Sequence, residues 1–125
     1  MSYQLTIVEK PTYLHAIVTG SNTIENVTAY LQELHRECQS RQIFNVLIEE
    51  NLTGRRLETW DVYQIAAEGS ARTRGLLNAV AYVDINADGE LMKFAETVAN
   101  NRGLPMTMFA TVVEAEKWLA GKPRG

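Results

Sequence analysis

The sequence predicts one α/β domain spanning residues 1–125, with the element order β-β-α-β-α-β-α-β-α and a mixed, mostly parallel sheet. Residues 2–8 alternate between apolar and polar side chains, which is typical of a half-buried strand, and we place this strand antiparallel at an edge of the sheet. Residues 23–39 follow a helical period. Residues 78–83 form a nearly continuous apolar run, which indicates a central strand buried on both faces.

The first third of the chain predicts a hairpin followed by a helix. Residues 2–8 and 13–19 are the two strands, and Gly20 and Ser21 break the second one. The first helix follows over about 23–39, with Asn22 or Thr23 as its N-cap. Its apolar stripe consists of Val27, Leu31, Leu34 and Cys38.

A third strand is predicted at 44–48, where it ends in the polar residues Glu49, Glu50 and Asn51. A second helix follows over about 59–73, with Thr59 as its cap. Ligand sites in such sheets gather beyond the carboxyl ends of the strands. We therefore expect a functional rim that contains these three polar residues and Asp84, which follows the buried run.

The last third of the chain predicts two helices around a short strand. Asp88 caps a helix over about 89–102, and Gly103 is placed to end it. A strand follows at 106–110. Thr111 and Glu114 then have the spacing of a capping box, which opens a final helix.

The element order and three stretches of sequence resemble the SpoIIAA-like, or STAS, family, including its uncharacterised members grouped as STAS/SEC14-type domains. The stretches are residues 57–61 (LETWD), 79–84 (AVAYVD) and 108–119, where MF is followed by EAEKWL. All three are mainly packing patterns and none is a catalytic signature. The resemblance therefore implies a SpoIIAA-like fold more than it implies an activity.

Two functions follow from this resemblance. Anti-sigma-factor antagonists of this fold are partner-binding switches phosphorylated at the start of the second helix, within a sequence close to Asp-Ser-Ser-Gly. Here that place reads ETWD at 58–61, so Thr59 is the one hydroxyl that could be a phosphoacceptor, and the alternative is an ordinary N-cap. SEC14-type relatives bind lipids, which implies an apolar pocket near Trp60 and Tyr63 as the second possibility.

The loop before the second helix is a candidate anion or ligand site. Paired arginines beside a glycine can bind phosphate or carboxylate, and the alternative is a solvated loop. The rim residues are Thr53, Arg55, Arg56 and Asp84.

Metal and nucleophile patterns are weak. Residues 84–89 match the first half of an EF-hand loop, but Ala95 stands where calcium needs a bidentate acid, so we expect a strand-to-helix turn. His15 and His35 have no partner at zinc-ligand spacing. Cys38 continues an apolar stripe and is expected to be a buried hydrophobe. Adjacent glutamates on a strand point to opposite faces, so Glu49 and Glu50 cannot form an acid/base pair. No metal, cofactor or catalytic residue is therefore expected.

Composition narrows the partners. The net charge of -3 argues against nucleic acid, which requires a concentrated basic face. The single cysteine cannot form an intrachain disulfide, and the amino terminus lacks the pattern of a signal peptide, so we expect a cytoplasmic protein. No apolar run reaches the roughly 20 residues of a transmembrane segment.

The second predicted helix is apolar on more than one side, which calls for a second cover such as another subunit. Trp60 and Tyr63 are the candidate interface or pocket residues. The leading hypothesis is a non-enzymatic interaction or signalling module that forms a homodimer and binds a protein partner. The alternative is a small protein that binds a lipid or another apolar small molecule.

Overall fold

Five strands form one mixed sheet in the computed structural model, which describes residues 3–54, 61, 63–65, 67, 77–84, 89–102 and 104–122. The strands lie in the order β1-β2-β3-β4-β5, and β1 is antiparallel to β2 while every other pair is parallel. The mixed sheet and the edge position of the first strand are therefore confirmed. The strands are β1 (Tyr3–Glu9), β2 (Leu14–Ser21), β3 (Asn45–Thr53), β4 (Ala79–Asp84) and β5 (Met106–Phe109).

Three helices have defined bounds: α1 (Ile24–Arg41), α2 (Gly89–Asn101) and α3 (Val112–Ala120). Residues 61, 63–65 and 67 are helical as well. Thr23 is the N-cap of α1, since its hydroxyl oxygen accepts from the amide of Asn26 at 3.1 Å. Thr111 caps α3 in the same way, by accepting from the amide of Glu114 at 3.2 Å. The N-caps predicted for the first and last helices are thus confirmed.

The helices divide unequally between the two faces of the sheet. Side chains of α1 and α2 pack on one face, together with Ile65, and we call it the covered face. Right-handed crossovers between parallel strands that follow one another across a sheet put the connecting helices on one side. The opposite face therefore receives α3, which contacts β3, β4 and β5.

One helix cannot cover this second face. Neighbouring strands are about 4.8 Å apart, so five of them span about 20 Å, whereas a helix with its side chains is about 10 Å wide. Alternate side chains of β1 and β2 accordingly stay exposed on this side, and we call it the half-open face. Gln4, Thr6 and Thr19 are exposed there, and Val8 is 38% exposed.

The bounds of β2 and β3 correct the sequence-based prediction. Gly20 and Ser21 do not break the second strand, because β2 pairs with β3 as far as Ser21 opposite Thr53. The third strand does not end in Glu49, Glu50 and Asn51, which lie inside β3, since paired strands on both sides satisfy its backbone. Among the described residues, no helix combines the length and the apolar character needed to cross a membrane.

Candidate functional site

A buried carboxyl group lies on the covered face of β3. Val46, Ile48, Glu50 and Leu52 share this face through the strand alternation, and all four are buried. Glu50 is 4% exposed although its neighbours in the row are aliphatic. In the register of the sheet, it lies beside Val18 of β2 and Asp84 of β4.

Two tyrosines bind this carboxyl group. The hydroxyl groups of Tyr30, on α1, and Tyr82, on β4, both donate to the Oε2 atom of Glu50. The two hydroxyl oxygens are 3.3 Å apart. Residues 52 apart in sequence thus meet at one oxygen atom, and we call the group of Tyr30, Glu50, Tyr82 and Asp84 the carboxyl cluster.

The cluster favours the protonated form of Glu50. Burial is the largest cause, and it raises the pKa of this carboxyl group from 4.5 to about 7. The tyrosine hydrogen bonds lower the pKa, while the charge of Asp84 and its hydrogen bond to Glu50 raise it. Burial also raises the pKa of both tyrosine hydroxyls well above 10, so they remain protonated donors. The arrangement can bind and release a proton near neutral pH.

A second polar group lies on the half-open face. The Nε2 atom of His15 is 2.9 Å from the Oε1 atom of Glu49, and the amide of Asn51 donates to Oε2 of Glu49 at 3.1 Å. The side chains of His15 and Glu49 are 12% and 24% exposed. The prediction that Glu49 and Glu50 face opposite sides of the sheet is therefore confirmed.

The edge strand β1 borders the half-open face. Its register with β2 runs without a bulge from Tyr3 opposite Gly20 to Glu9 opposite Leu14. From residue 3 to residue 8 it reads YQLTIV, which contains no charged residue and no proline. Its outer backbone groups have no strand beside them in the described part of the sheet.

Two of the predicted rim residues, Thr53 and Asp84, end neighbouring strands. Thr53 is the last residue of β3 rather than a loop residue, and its hydroxyl donates to the carbonyl oxygen of Gly20 at 3.3 Å. Asp84 ends β4 beside Glu50. Arg55, Arg56, Thr59 and Trp60 lie outside the described residues, so the anion site and the phosphoacceptor stay predictions.

Tyr63 is a helical residue whose side chain lies next to α2. Its hydroxyl accepts a hydrogen bond from the guanidinium of Arg102 at 2.9 Å, and its ring is 6.4 Å from that of Phe94, which is 36% exposed. These contacts leave the interface and the apolar pocket predicted here as hypotheses.

The remaining candidates take structural positions. Cys38 is fully buried in the core, as predicted, and burial raises the pKa of its thiol to about 12. The EF-hand-like segment spans 84–89, of which residues 85–88 lie outside the described residues. In the part of the chain that the structure describes, no three histidine, cysteine, aspartate or glutamate side chains form a metal-binding group.

Sequence reasoning missed the carboxyl cluster. The sequence places Glu50 at the rim, and the apolar stripe predicted for the first helix does not include Tyr30. Tyr30 lies three residues after Val27 and four before Leu34, so helical spacing alone could have placed it in the core. No local pattern connects Glu50 to either tyrosine.

Comparison with known proteins supports the fold and goes no further. No protein-family model and no curated protein sequence matches the chain. Among solved structures, the chain is similar to an uncharacterised protein of the DUF3478 family from Shewanella loihica PV-4, which has a SpoIIAA-like fold. The TM-score is 0.55 and the identity 20%, and the match covers 94% of each chain. The α/β fold of this chain is therefore SpoIIAA-like, as its sequence predicts.

Proposed function

We propose that this chain is a non-enzymatic interaction module that pairs with a second copy of itself through β1. The observation that carries this proposal is the uncharged, bulge-free outer edge of that strand. The partner-binding role implied by the SpoIIAA-like fold is compatible with it.

Unprotected edges are uncommon in natural sheets. Proteins usually block an edge strand with lysine, proline, a bulge or a covering element, because free backbone groups accept any passing strand. β1 spans seven residues, and its first charged residue is Glu9 at its end. A paired partner strand is the simplest way to satisfy such an edge.

A second copy is a chemically suitable partner. Two identical edges related by a two-fold axis form an antiparallel pair in which each strand gives and receives the same hydrogen bonds. Gln4, Thr6 and Val8 project from β1 onto the half-open face, and none of them carries a charge that would repel its copy. On the covered face, Leu5 and Ile7 pack against the core and would extend it across the pair.

The carboxylates support a role without catalysis. Glu50 is 4% exposed, which leaves it out of reach of a substrate. Both carboxylate oxygens of Glu49 are hydrogen-bonded within the sheet. Neither group is positioned to act as an acid or base on a bound substrate.

Light scattering during size-exclusion chromatography tests the proposal. We expect a mass of twice the 14.0 kDa of one chain, with a shift toward the monomer on dilution. Thr6→Lys places a charge in the middle of β1 on both copies and should yield the monomer. Thr97→Lys adds the same charge on the exposed side of α2 and should leave the dimer intact.

Two results would overturn the proposal. One is a wild-type protein that stays monomeric at every concentration. The other is an identical dimer in wild type and Thr6→Lys, which would move the interface away from β1. Circular dichroism of both variants distinguishes loss of pairing from loss of folding.

A further inference from the structure

We propose that the buried carboxyl group of Glu50 holds a proton within the carboxyl cluster, and that its loss as pH rises loosens the carboxyl ends of β3 and β4. The carboxyl cluster would then be a pH-sensitive contact between α1 and the centre of the sheet. This device is independent of the edge pairing proposed for β1.

The sheet register brings the two acids together. Glu50 and Asp84 are direct partners on parallel strands, and their side chains are on the same face and joined by a hydrogen bond. Loss of the Glu50 proton creates a negative charge in a buried region beside this second acid, where charges are screened less than in water.

The described groups that face Glu50 are not basic. From α1, Tyr30 faces Glu50, and from β4 Tyr82 and Asp84 do. From β2 the neighbour is Val18. Among the residues that the structure describes, the charged group that acts on the pKa of Glu50 is Asp84.

Charged groups on neighbouring elements have other partners. Glu33 of α1 accepts from the hydroxyl of Tyr3, whose ring is 6.4 Å from that of Tyr30. Glu96 of α2 accepts from the amide of Met108.

The tyrosine hydrogen bonds favour protonation of one oxygen atom of the Glu50 carboxyl group over the other. Both hydroxyls donate to a single oxygen, Oε2, in an arrangement that suits a carboxylic acid whose other oxygen carries the proton. The same donors also stabilise the carboxylate in part, which keeps the proton exchangeable. Burial raises the pKa of Glu50 to about 7, so the exchange falls near neutral pH.

Glu50 and Asp84 lie near the ends of their strands, so loss of the Glu50 proton would affect this end of the sheet. β4 ends at Asp84, and β3 ends three residues after Glu50. Ligands and partners of open α/β sheets approach at this end of the strands. Loosening here would alter the carboxyl end of the sheet, where the predicted rim residue Thr53 lies.

Amide hydrogen exchange measured by mass spectrometry at pH 6 and pH 8 tests this pH-sensitive contact. After correction for the intrinsic pH dependence of exchange, we expect protection of β4 and of the turn of α1 around Tyr30 to fall about tenfold. Glu50→Gln keeps the acceptor for the tyrosines and a donor for Asp84, so its protection should not change with pH. Glu49→Gln is the matched control on the opposite face and should behave as wild type.

Protection of β4 that falls equally in wild type and Glu50→Gln would overturn the proposal. So would protection that is the same at pH 6 and pH 8 in the wild-type protein, a result that does not depend on how either variant folds.

Discussion

Glu49 and Glu50 are adjacent in β3, yet their surroundings differ in almost every respect. Glu50 is 4% exposed on the covered face, where two tyrosine hydroxyls and Asp84 bind it. The Glu49 side chain is 24% exposed on the half-open face, beside His15 and Asn51. Strand alternation alone separates them.

The surroundings of a glutamate, rather than its residue type, therefore determine how its charge affects the stability of the fold. Glu49 lies beside a histidine and retains contact with water. Glu50 has lost water and lies beside a second acid, so its neutral form is favoured. Substitutions at the two positions should therefore have unlike effects on stability.

Truncation should give the largest contrast. At pH 5, Glu50→Ala should lower the free energy of unfolding by about 4 kcal/mol, because it opens a cavity and removes the acceptor of the Tyr30 and Tyr82 hydroxyls. Glu49→Ala should cost less than about 1 kcal/mol, since water can replace its partners. Urea unfolding of both variants measures the contrast, and equal losses would contradict the assignment of Glu50 to the core.

The pH dependence of stability should give the next largest contrast. Folding raises the pKa of Glu50 from 4.5 to about 7, so the folded state binds the proton more tightly than the unfolded state. The stabilisation is complete below pH 4.5 and is lost as pH rises to 7. With about 1.4 kcal/mol for each pH unit, the loss is about 3 kcal/mol.

Urea unfolding between pH 4.5 and pH 8 measures this loss. Glu50→Gln should remove the decline and leave the variant more stable than wild type at pH 8. Glu49→Gln serves as the control, and a Glu50→Gln profile parallel to that of wild type would count against the buried proton.

The smallest effect should come from the half-open face. His15→Ala removes the 2.9 Å contact with Glu49, and we expect it to cost less than about 1 kcal/mol because both side chains reach solvent. Thermal unfolding in low and high salt measures it. A loss comparable to that of Glu50→Ala would show that the two faces are equally dependent on their polar groups.

Much of the fold could be predicted from the sequence, because its strands and helices have clear periods. Residues 2–8 alternate between apolar and polar side chains, and they correspond to β1. Residues 78–83 form an apolar run, and they correspond to β4. Thr23 and Thr111 mark helix starts by side-chain chemistry that is local. These features depend on neighbours in the chain.

The carboxyl cluster could not be predicted because it depends on distant partners. Two consecutive glutamates favour the end of a strand, yet β3 continues to Thr53 since β2 pairs with it that far. Burial of Glu50 in the core is offset by hydrogen bonds from Tyr30 and Tyr82, which come from a helix and another strand. The extension of β3 and the burial of Glu50 are thus both consequences of tertiary contacts.

A carbon-13 NMR titration of the Glu50 carboxyl carbon, assigned by its absence in Glu50→Gln, tests the central claim most directly. The account predicts a titration midpoint near pH 7 in the folded protein. A midpoint near 4.5 would contradict it, since that is the pKa of a glutamate without burial or a neighbouring acid.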